Sequence, residues 1–108
     1  MLAVECAKAA RHFPPEEQGA LADQLRRAAY SAALNIAEGS GRRGSREYRR
    51  FLDIAKGSLD EVDAILEIAR DLGYLELSAF ARLEARREEA AKTLYGLLRS
   101  VSASAAAK

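Results

Sequence analysis

Apolar residues recur at helical spacing along most of the chain, and this periodicity predicts four helices. The pattern places them at residues 2–12, 15–38, 45–72 and 78–100. No segment shows the strict alternation of apolar and polar residues that is typical of a strand. The sequence therefore predicts an all-α fold, an antiparallel up-and-down four-helix bundle with a short first helix.

Proline and glycine mark the predicted helix ends. Phe13-Pro14-Pro15 ends the first helix, and Pro15 suits the first position of the second. Gly39-Ser40-Gly41 and Gly44 predict a turn in which glycine supplies the positive φ angles that close a helix. Gly73 closes the third helix in the same way.

Three further expectations concern positions within the helices. Gly19 falls inside the predicted second helix, Gly57-Ser58 falls inside the third, and Ser45 and Ser78 are candidate N-caps. We expect the third helix to continue through Gly57-Ser58, which would form a small patch where a neighbour approaches closely. The 108 residues predict a single domain, with a tail at about 101–108 that frays.

Four sequence segments resemble the 23S rRNA-intervening sequence protein family. They are 24–29 (QLRRAA), 35–39 (NIAEG), 41–42 (GR) and 51–59 (FLDIAKGSL). The resemblance implies a four-helix bundle that assembles into pentameric rings. It also implies a relationship to the accessory variability protein of diversity-generating retroelements, which binds nucleic acid and a reverse transcriptase. For most of the family, no biochemical activity is established.

Composition narrows the class of protein. A single cysteine, Cys6, cannot form an internal disulfide, and no apolar run approaches the roughly 20 residues that span a bilayer. We expect a cytoplasmic protein in which Cys6 is a small core residue, with a reactive thiol as the alternative.

Catalytic and metal-binding patterns are missing from the sequence. His12 is the one histidine, so the Glu-x-x-His pairs of di-metal bundles cannot form. No phosphate-binding loop motif occurs, and Cys6 and His12 fall on nearly opposite sides of one short helix. The sequence predicts a protein that is not an enzyme and has no catalytic residues, metal site or cofactor.

An arginine cluster is the best candidate for function, although the formal net charge is only +1. Arginine near a helix N-terminus opposes the helix dipole, so a partner should favour it there. Glycine-rich backbone entering a helix binds anions, and arginines add bidentate contacts to phosphate oxygens. Tyr48 would stack on a base. The candidate nucleic-acid-binding residues are Arg26, Arg27, Arg42, Arg43, Arg46, Arg49 and Arg50.

A structural interpretation of the same residues stays open. The arginines would then pair with carboxylates such as Glu38, Glu47 and Asp53, within the bundle or across a subunit boundary. Asn35 and Glu38 would bond the turn backbone and an arginine such as Arg42 or Arg46. With Gly39 and Gly41, they form a predicted structural turn.

Apolar residues outside the main stripes predict self-association. They are Tyr30, Leu34, Ile54, Ile65 and Ile68. The function expected from the sequence is a non-enzymatic homo-oligomer that binds RNA or DNA backbone, and the family resemblance implies that the oligomer is a pentameric ring. The alternative is a protein-interaction scaffold, with a partner such as a reverse transcriptase by family analogy.

Overall fold

The computed structural model describes residues 1–40 and 45–107, without the side chains of Ser40, Ser45 and 103–107. Four helices follow in order: α1 (Leu2–Ala10), α2 (Leu21–Ser40), α3 (Ser45–Asp71) and α4 (Leu77–Ala107). A 3-10 turn at Pro15–Glu17 precedes α2. The described residues contain no strand, which confirms the predicted all-α class.

Contacts between the long helices fix an antiparallel arrangement. Ser31 and Ser58 place their Oγ atoms 2.9 Å apart across α2 and α3, and Gly39 near the end of α2 lies beside Tyr48 near the start of α3. Between α3 and α4, Arg49 reaches Ser102 and Asp63 faces Arg87. Each long helix therefore runs opposite to the one before it.

The segment between α1 and α2 corrects one prediction. α2 begins at Leu21 rather than near Pro15, and Gly19 is exposed outside it. The cause is Gln18, whose Nε2 donates to the carbonyls of Ala10 and Phe13 at 2.9 Å each. These bonds satisfy carbonyls at the end of α1 and hold the chain in a turn, so the helix cannot start earlier.

The turn between α3 and α4 follows the predicted glycine chemistry. Gly73 has φ +81°, the amide of Tyr74 donates to the Ala69 carbonyl at 2.8 Å, and that of Gly73 donates to Arg70 at 3.0 Å. This pair of bonds is a Schellman motif. α4 begins at Leu77, one residue before the predicted cap Ser78.

Two further expectations concern the interior of α3 and the C-terminal tail. α3 is continuous across Gly57-Ser58, as predicted, but a Cβ at Gly57 would meet nothing within 4 Å, so only Ser58 approaches a neighbouring helix. At the C-terminus, α4 extends to Ala107 and Val101 is buried, and the fraying that we expected from about residue 101 stays a prediction.

The bundle has two ends, because α1 is much shorter than its neighbours. α1 has 9 residues and α3 has 27, about 14 Å and 40 Å in length. We call residues 1–33 and 59–89 the four-helix end, since α1 packs there. Residues 34–40, 45–58 and 90–107 form the three-helix end, where α2, α3 and α4 continue without α1.

Each end has its own apolar core. At the four-helix end the buried residues include Cys6, Phe13, Leu25, Leu66 and Leu83. At the three-helix end, Leu52, Ala55, Leu94 and Val101 are buried, together with Ala32 and Leu59 from the boundary. Burial, together with a smaller contribution from the nearby Glu5 carboxylate, raises the pKa of the Cys6 thiol to about 12. The structure therefore supports the prediction that Cys6 is a core residue.

Candidate nucleic-acid interface

The first two turns of α3 carry three of the predicted arginines. Arg46, Arg49 and Arg50 are all exposed, so each guanidinium has access to a large ligand. Arg42, Arg43 and Gly41 lie outside the described residues. These residues lie between α2 and α3 in the sequence. The structure therefore describes the arginines of the predicted cluster on α3, but not the two that precede this helix.

The three arginines of α3 differ in their contacts. Arg49 Nε lies 3.3 Å from Asp53 Oδ1, and its Nη1 donates to Ser102 Oγ at 2.6 Å. Among the described residues, Arg46 and Arg50 make no ion pair. Arg49 therefore ties α3 to α4, whereas Arg46 and Arg50 are the arginines available to a partner.

Arg26 has a structural role that the sequence did not reveal. Its Nη2 donates to the Gln18 carbonyl at 3.0 Å, and its Nη1 donates to Gln18 Oε1 at 3.4 Å. Gln18 in turn holds the end of α1. Only 25 % of the Arg26 side chain is exposed. Arg26 thus fixes the turn between α1 and α2.

Arg27 is exposed but distant from the arginines of α3. It lies 3.7 Å from Asp23 and shares a cleft with Glu61 of α3. Glu61 follows Arg49 by twelve residues, or about 18 Å along the helix. The structure therefore does not bring Arg26 and Arg27 into one patch with Arg46, Arg49 and Arg50.

Asn35 forms hydrogen bonds within α2. Its Nδ2 donates to the Ser31 carbonyl at 2.8 Å and to Ser31 Oγ at 3.1 Å, and Ser31 Oγ also contacts Ser58 of α3. Asn35 points back one helical turn and contributes to a polar link between α2 and α3. Its predicted bond to the turn backbone at residues 41–44 lies outside the described residues. Glu38 is exposed near the end of α2, and its predicted pairing with Arg42 lies outside the described residues.

Gly39 is required for close packing, not for a positive φ angle. It lies within α2, one residue before the helix ends at Ser40. A Cβ at this position would come within 2.7 Å of Tyr48 Cδ1 and 3.0 Å of Phe51 Cβ. Tyr48 is half-buried against this glycine and the core of the three-helix end, so its ring is engaged in packing rather than presented for base stacking.

Charge is divided between the two ends of the bundle. Over its described residues the three-helix end carries six Lys and Arg against three Asp and Glu, a net of +3. The four-helix end carries eight Lys and Arg against thirteen Asp and Glu, a net of −5. In the sequence, Arg42 and Arg43 add two positive charges between α2 and α3. Although the net charge is only +1, one end of the 51 Å long molecule is therefore positive and the other is negative.

Two basic residues of α4 belong to this positive end and were missed in the sequence. Lys92 and Arg99 are exposed on the part of α4 that runs beside the start of α3. The length of the predicted fourth helix could have revealed these two residues. An antiparallel helix long enough to reach the start of α3 necessarily places its last turns beside the arginines.

Other candidate chemistry is sparse in the described residues. His12 is exposed and lines a cleft of about 600 Å³ with Lys8, Tyr74 and Arg82 among its neighbours. Within residues 1–40 and 45–107, no group of three His, Cys, Asp or Glu is arranged to hold a metal ion. No helix of this described part combines the length and the apolar character needed to cross a bilayer.

Comparison with known proteins identifies the family. Residues 1–96 match the family model for the 23S rRNA-intervening sequence protein, and the chain belongs to this family. A crystal structure of a protein of unknown function from the S23 ribosomal protein family, from Bacteroides thetaiotaomicron, superposes with a TM-score of 0.73. The two share 19 % sequence identity, over 91 % of this chain and 98 % of the other, so the likeness concerns the fold alone. A search of curated protein sequences gives no match.

Proposed function

We propose that this member of the 23S rRNA-intervening sequence protein family is a self-associating, non-catalytic module whose three-helix end binds the phosphate backbone of RNA or DNA. The division of charge between the two ends supports this proposal. A net positive end attracts a polyanion, while the net negative end repels it and thereby sets the orientation of binding.

The position of the positive charge strengthens the proposal. Arg46 and Arg50 stand in the first two turns of α3, where each basic residue opposes the helix dipole by roughly 0.3–1 kcal/mol. Neither makes an ion pair with a described residue that would offset this cost. A phosphate backbone would offset it, because arginine binds two phosphate oxygens at once and releases their counterions.

Self-association would multiply these contacts. Of the five residues predicted to cause it, Ile65 is buried in the core, but Tyr30, Leu34, Ile54 and Ile68 are exposed on α2 and α3. Large exposed apolar side chains on two adjacent helices are typical of an interface. In a closed ring, such as the pentamer that the family resemblance implies, rotational symmetry gives every subunit the same orientation to the axis, so the positive ends repeat around the ring.

A second function is favoured by the ion pairs. Arg49 pairs with Asp53, and Arg26 and Arg27 lie near Asp23, so part of the predicted cluster is structural. In this alternative the assembled bundle is a scaffold for a protein, such as the reverse transcriptase suggested by family analogy. The remaining arginines would then form pairs at the subunit boundary.

Salt-dependent binding distinguishes the two functions. Fluorescent 20-nucleotide RNA and DNA are titrated with wild type, with the double variant Arg46→Ala/Arg50→Ala, and with the control Arg11→Ala/Arg27→Ala at exposed positions of the four-helix end. We expect wild-type affinity to fall as a power of salt concentration. The double variant should bind at least tenfold more weakly, with a slope reduced by about 1.4–1.8 for two lost phosphate contacts.

The scaffold function is favoured instead if no binding is detected at low salt, or if the control variant loses as much affinity as the double variant. Mass by light scattering tests self-association separately. Leu34→Glu/Ile54→Glu should lower the oligomer mass, whereas Leu77→Glu, at an exposed leucine of the four-helix end, should not. Unchanged mass in the first variant would contradict the proposed interface.

A further inference from the structure

An exposed tyrosine lies between two basic residues on the outer face of α4. Lys92, Tyr95 and Arg99 follow one another at helical spacing, so they share one side of the helix. Leu94 and Val101 lie on the opposite side and are buried in the core of the three-helix end. The three residues of the outer face are all exposed, and we call them the α4 stripe.

Tyr95 is the aromatic residue that the three-helix end presents to solvent. Over the described residues of this end, Tyr48 and Phe51 are half-buried, whereas Tyr95 is 43 % exposed. The Tyr95 hydroxyl makes no hydrogen bond with a described residue. Its ring is therefore accessible to a planar ligand, which is the role that the sequence predicted for Tyr48.

The two basic residues of the stripe lie on either side of this ring. At 1.5 Å per residue, Lys92 is about 4.5 Å before Tyr95 along the helix and Arg99 is about 6 Å after it. Neither basic residue makes an ion pair with a described carboxylate. Both charges are therefore available to an anionic ligand that also covers the ring.

The α4 stripe is continuous with the arginines of α3. Ser102 follows Arg99 by three residues, and its Oγ accepts a hydrogen bond from Arg49 Nη1 at 2.6 Å. Arg46 and Arg50 lie within one turn of Arg49 on α3. A strand of nucleic acid that crosses from α3 to α4 would therefore contact the arginines of α3 and then the tyrosine ring.

An exposed aromatic ring beside basic side chains favours single-stranded nucleic acid, because the charges bind phosphates and an unpaired base stacks on the ring. In a duplex the faces of each base are already stacked on its neighbours, so a ring on a helix surface cannot reach them. We propose that the α4 stripe binds single-stranded RNA or DNA, with Tyr95 stacked on one unpaired base and Lys92 and Arg99 on the adjacent phosphates. This inference rests on the proposed function and names the class of nucleic acid that the three-helix end binds.

Substitutions at Tyr95 test the stacking contact. Fluorescent 20-nucleotide oligothymidylate and oligouridylate, and a DNA duplex of the same length, are titrated with wild type, Tyr95→Ala and Tyr95→Phe. We expect Tyr95→Ala to bind the single strands at least about fivefold more weakly, and the duplex within about twofold of wild type. Tyr95→Phe keeps the ring and should bind all three as wild type does. Circular dichroism verifies each fold.

Salt dependence separates stacking from charge. Tyr95→Ala removes no phosphate contact, so the slope of its affinity for single strands against salt concentration should equal that of wild type. Lys92→Ala/Arg99→Ala removes two phosphate contacts and should lower this slope by about 1.4. A lower slope for Tyr95→Ala would contradict the assigned role of the ring.

A tryptophan in place of Tyr95 reports stacking directly. The chain contains no tryptophan, so Tyr95→Trp introduces a single one at the site. Saturating oligothymidylate should quench its fluorescence by stacking, and the duplex should not. Leu77→Trp, at an exposed position of the four-helix end, is the control and should respond to neither.

The outcomes distinguish this inference from the proposed function. The stacking inference alone is wrong if wild type binds nucleic acid with the expected salt dependence but Tyr95→Ala binds single strands equally well, or Tyr95→Trp is not quenched. Equal weakening of single-strand and duplex binding by Tyr95→Ala also overturns it, because that result indicates a structural role. If wild type binds no nucleic acid at low salt, the proposed function fails and this inference fails with it.

Discussion

The four-helix end and the three-helix end are built from the same three long helices but are completed differently. At the four-helix end, Glu5 of α1 lies 3.0 Å from Arg86 and 3.7 Å from Arg82 of α4, so α1 is fixed by charge as well as by its apolar face. At the three-helix end no described helix takes this place. The difference teaches that charge of opposite sign collects at the two ends, a net of −5 where α1 packs and a net of +3 where it does not.

Additional contacts close the four-helix end. The Tyr74 hydroxyl donates to Glu17 Oε2 at 3.0 Å, and its ring lies 5.7 Å from Phe13. The hydrogen bond to Glu17 raises the pKa of Tyr74, with burial and the acidic neighbours adding to the effect. These links join the two turns of this end. At the three-helix end, the exposed pair Arg49 and Ser102 forms a polar link between α3 and α4.

Core truncation should give the largest contrast between the ends. Leu66 and Leu52 are both fully buried on α3, one at each end. Leucine-to-alanine changes in a core cost about 2–5 kcal/mol, less where the surroundings can close on the cavity. We expect Leu66→Ala to lie near the upper limit and Leu52→Ala near the lower one, because the neighbours of Leu52 are not held by α1 and can move inward more easily.

Urea denaturation followed by circular dichroism at 222 nm measures both free energies of unfolding. An equal or greater loss for Leu52→Ala would show that the three-helix end is packed as tightly as the other. A second copy or a partner would then not be needed to complete it.

Alanine substitutions at two glycines within helices should change stability by smaller amounts, and the two changes should have opposite signs. Gly39→Ala forces a Cβ against Tyr48 and Phe51, so we expect a loss of about 1–3 kcal/mol from overpacking. Gly57→Ala meets open space on α3 and should stabilise the protein by up to about 1 kcal/mol, since alanine is the better helix former. Thermal unfolding of the matched pair measures both. A stabilising Gly39→Ala would show that Tyr48 is free to move away.

The smallest expected effect concerns pH at the four-helix end. Burial raises the pKa of Glu84, and although Arg87 at 3.1 Å lowers it, a hydrogen bond with Asp63 also contributes to the net rise. The folded state then binds this proton more tightly than the unfolded chain does. Glu84 therefore adds stability as pH falls through its folded-state pKa and loses that stability as pH rises.

Glu84→Gln should remove this dependence. Its free energy of unfolding between pH 7 and pH 4 should vary less than that of wild type, by less than about 1 kcal/mol. Glu88→Gln on the same helix provides a control with the same change in charge. If the two variants show the same pH profile, the Asp63–Glu84–Arg87 cluster has no special role in titration.

The elements of the fold were determined locally, and the sequence predicted them well. The 3.6-residue period identified the helices, and Gly73 ended α3 because only glycine readily adopts its positive φ. Burial of Cys6 followed from its place on the apolar stripe of α1. The start of α2 was missed because Gln18 competes for the backbone through bonds to Ala10 and Phe13, which no periodicity reveals.

The candidate sites depended on residues that are distant in sequence. Arg49 and Ser102 meet 53 positions apart, and Gln18 rather than a phosphate takes the donors of Arg26. Sequence proximity grouped Arg26 with the arginines of α3, but antiparallel packing separated them. Local propensity thus fixed the helices, whereas only tertiary packing decided which charges share an end and which arginines remain available to a partner.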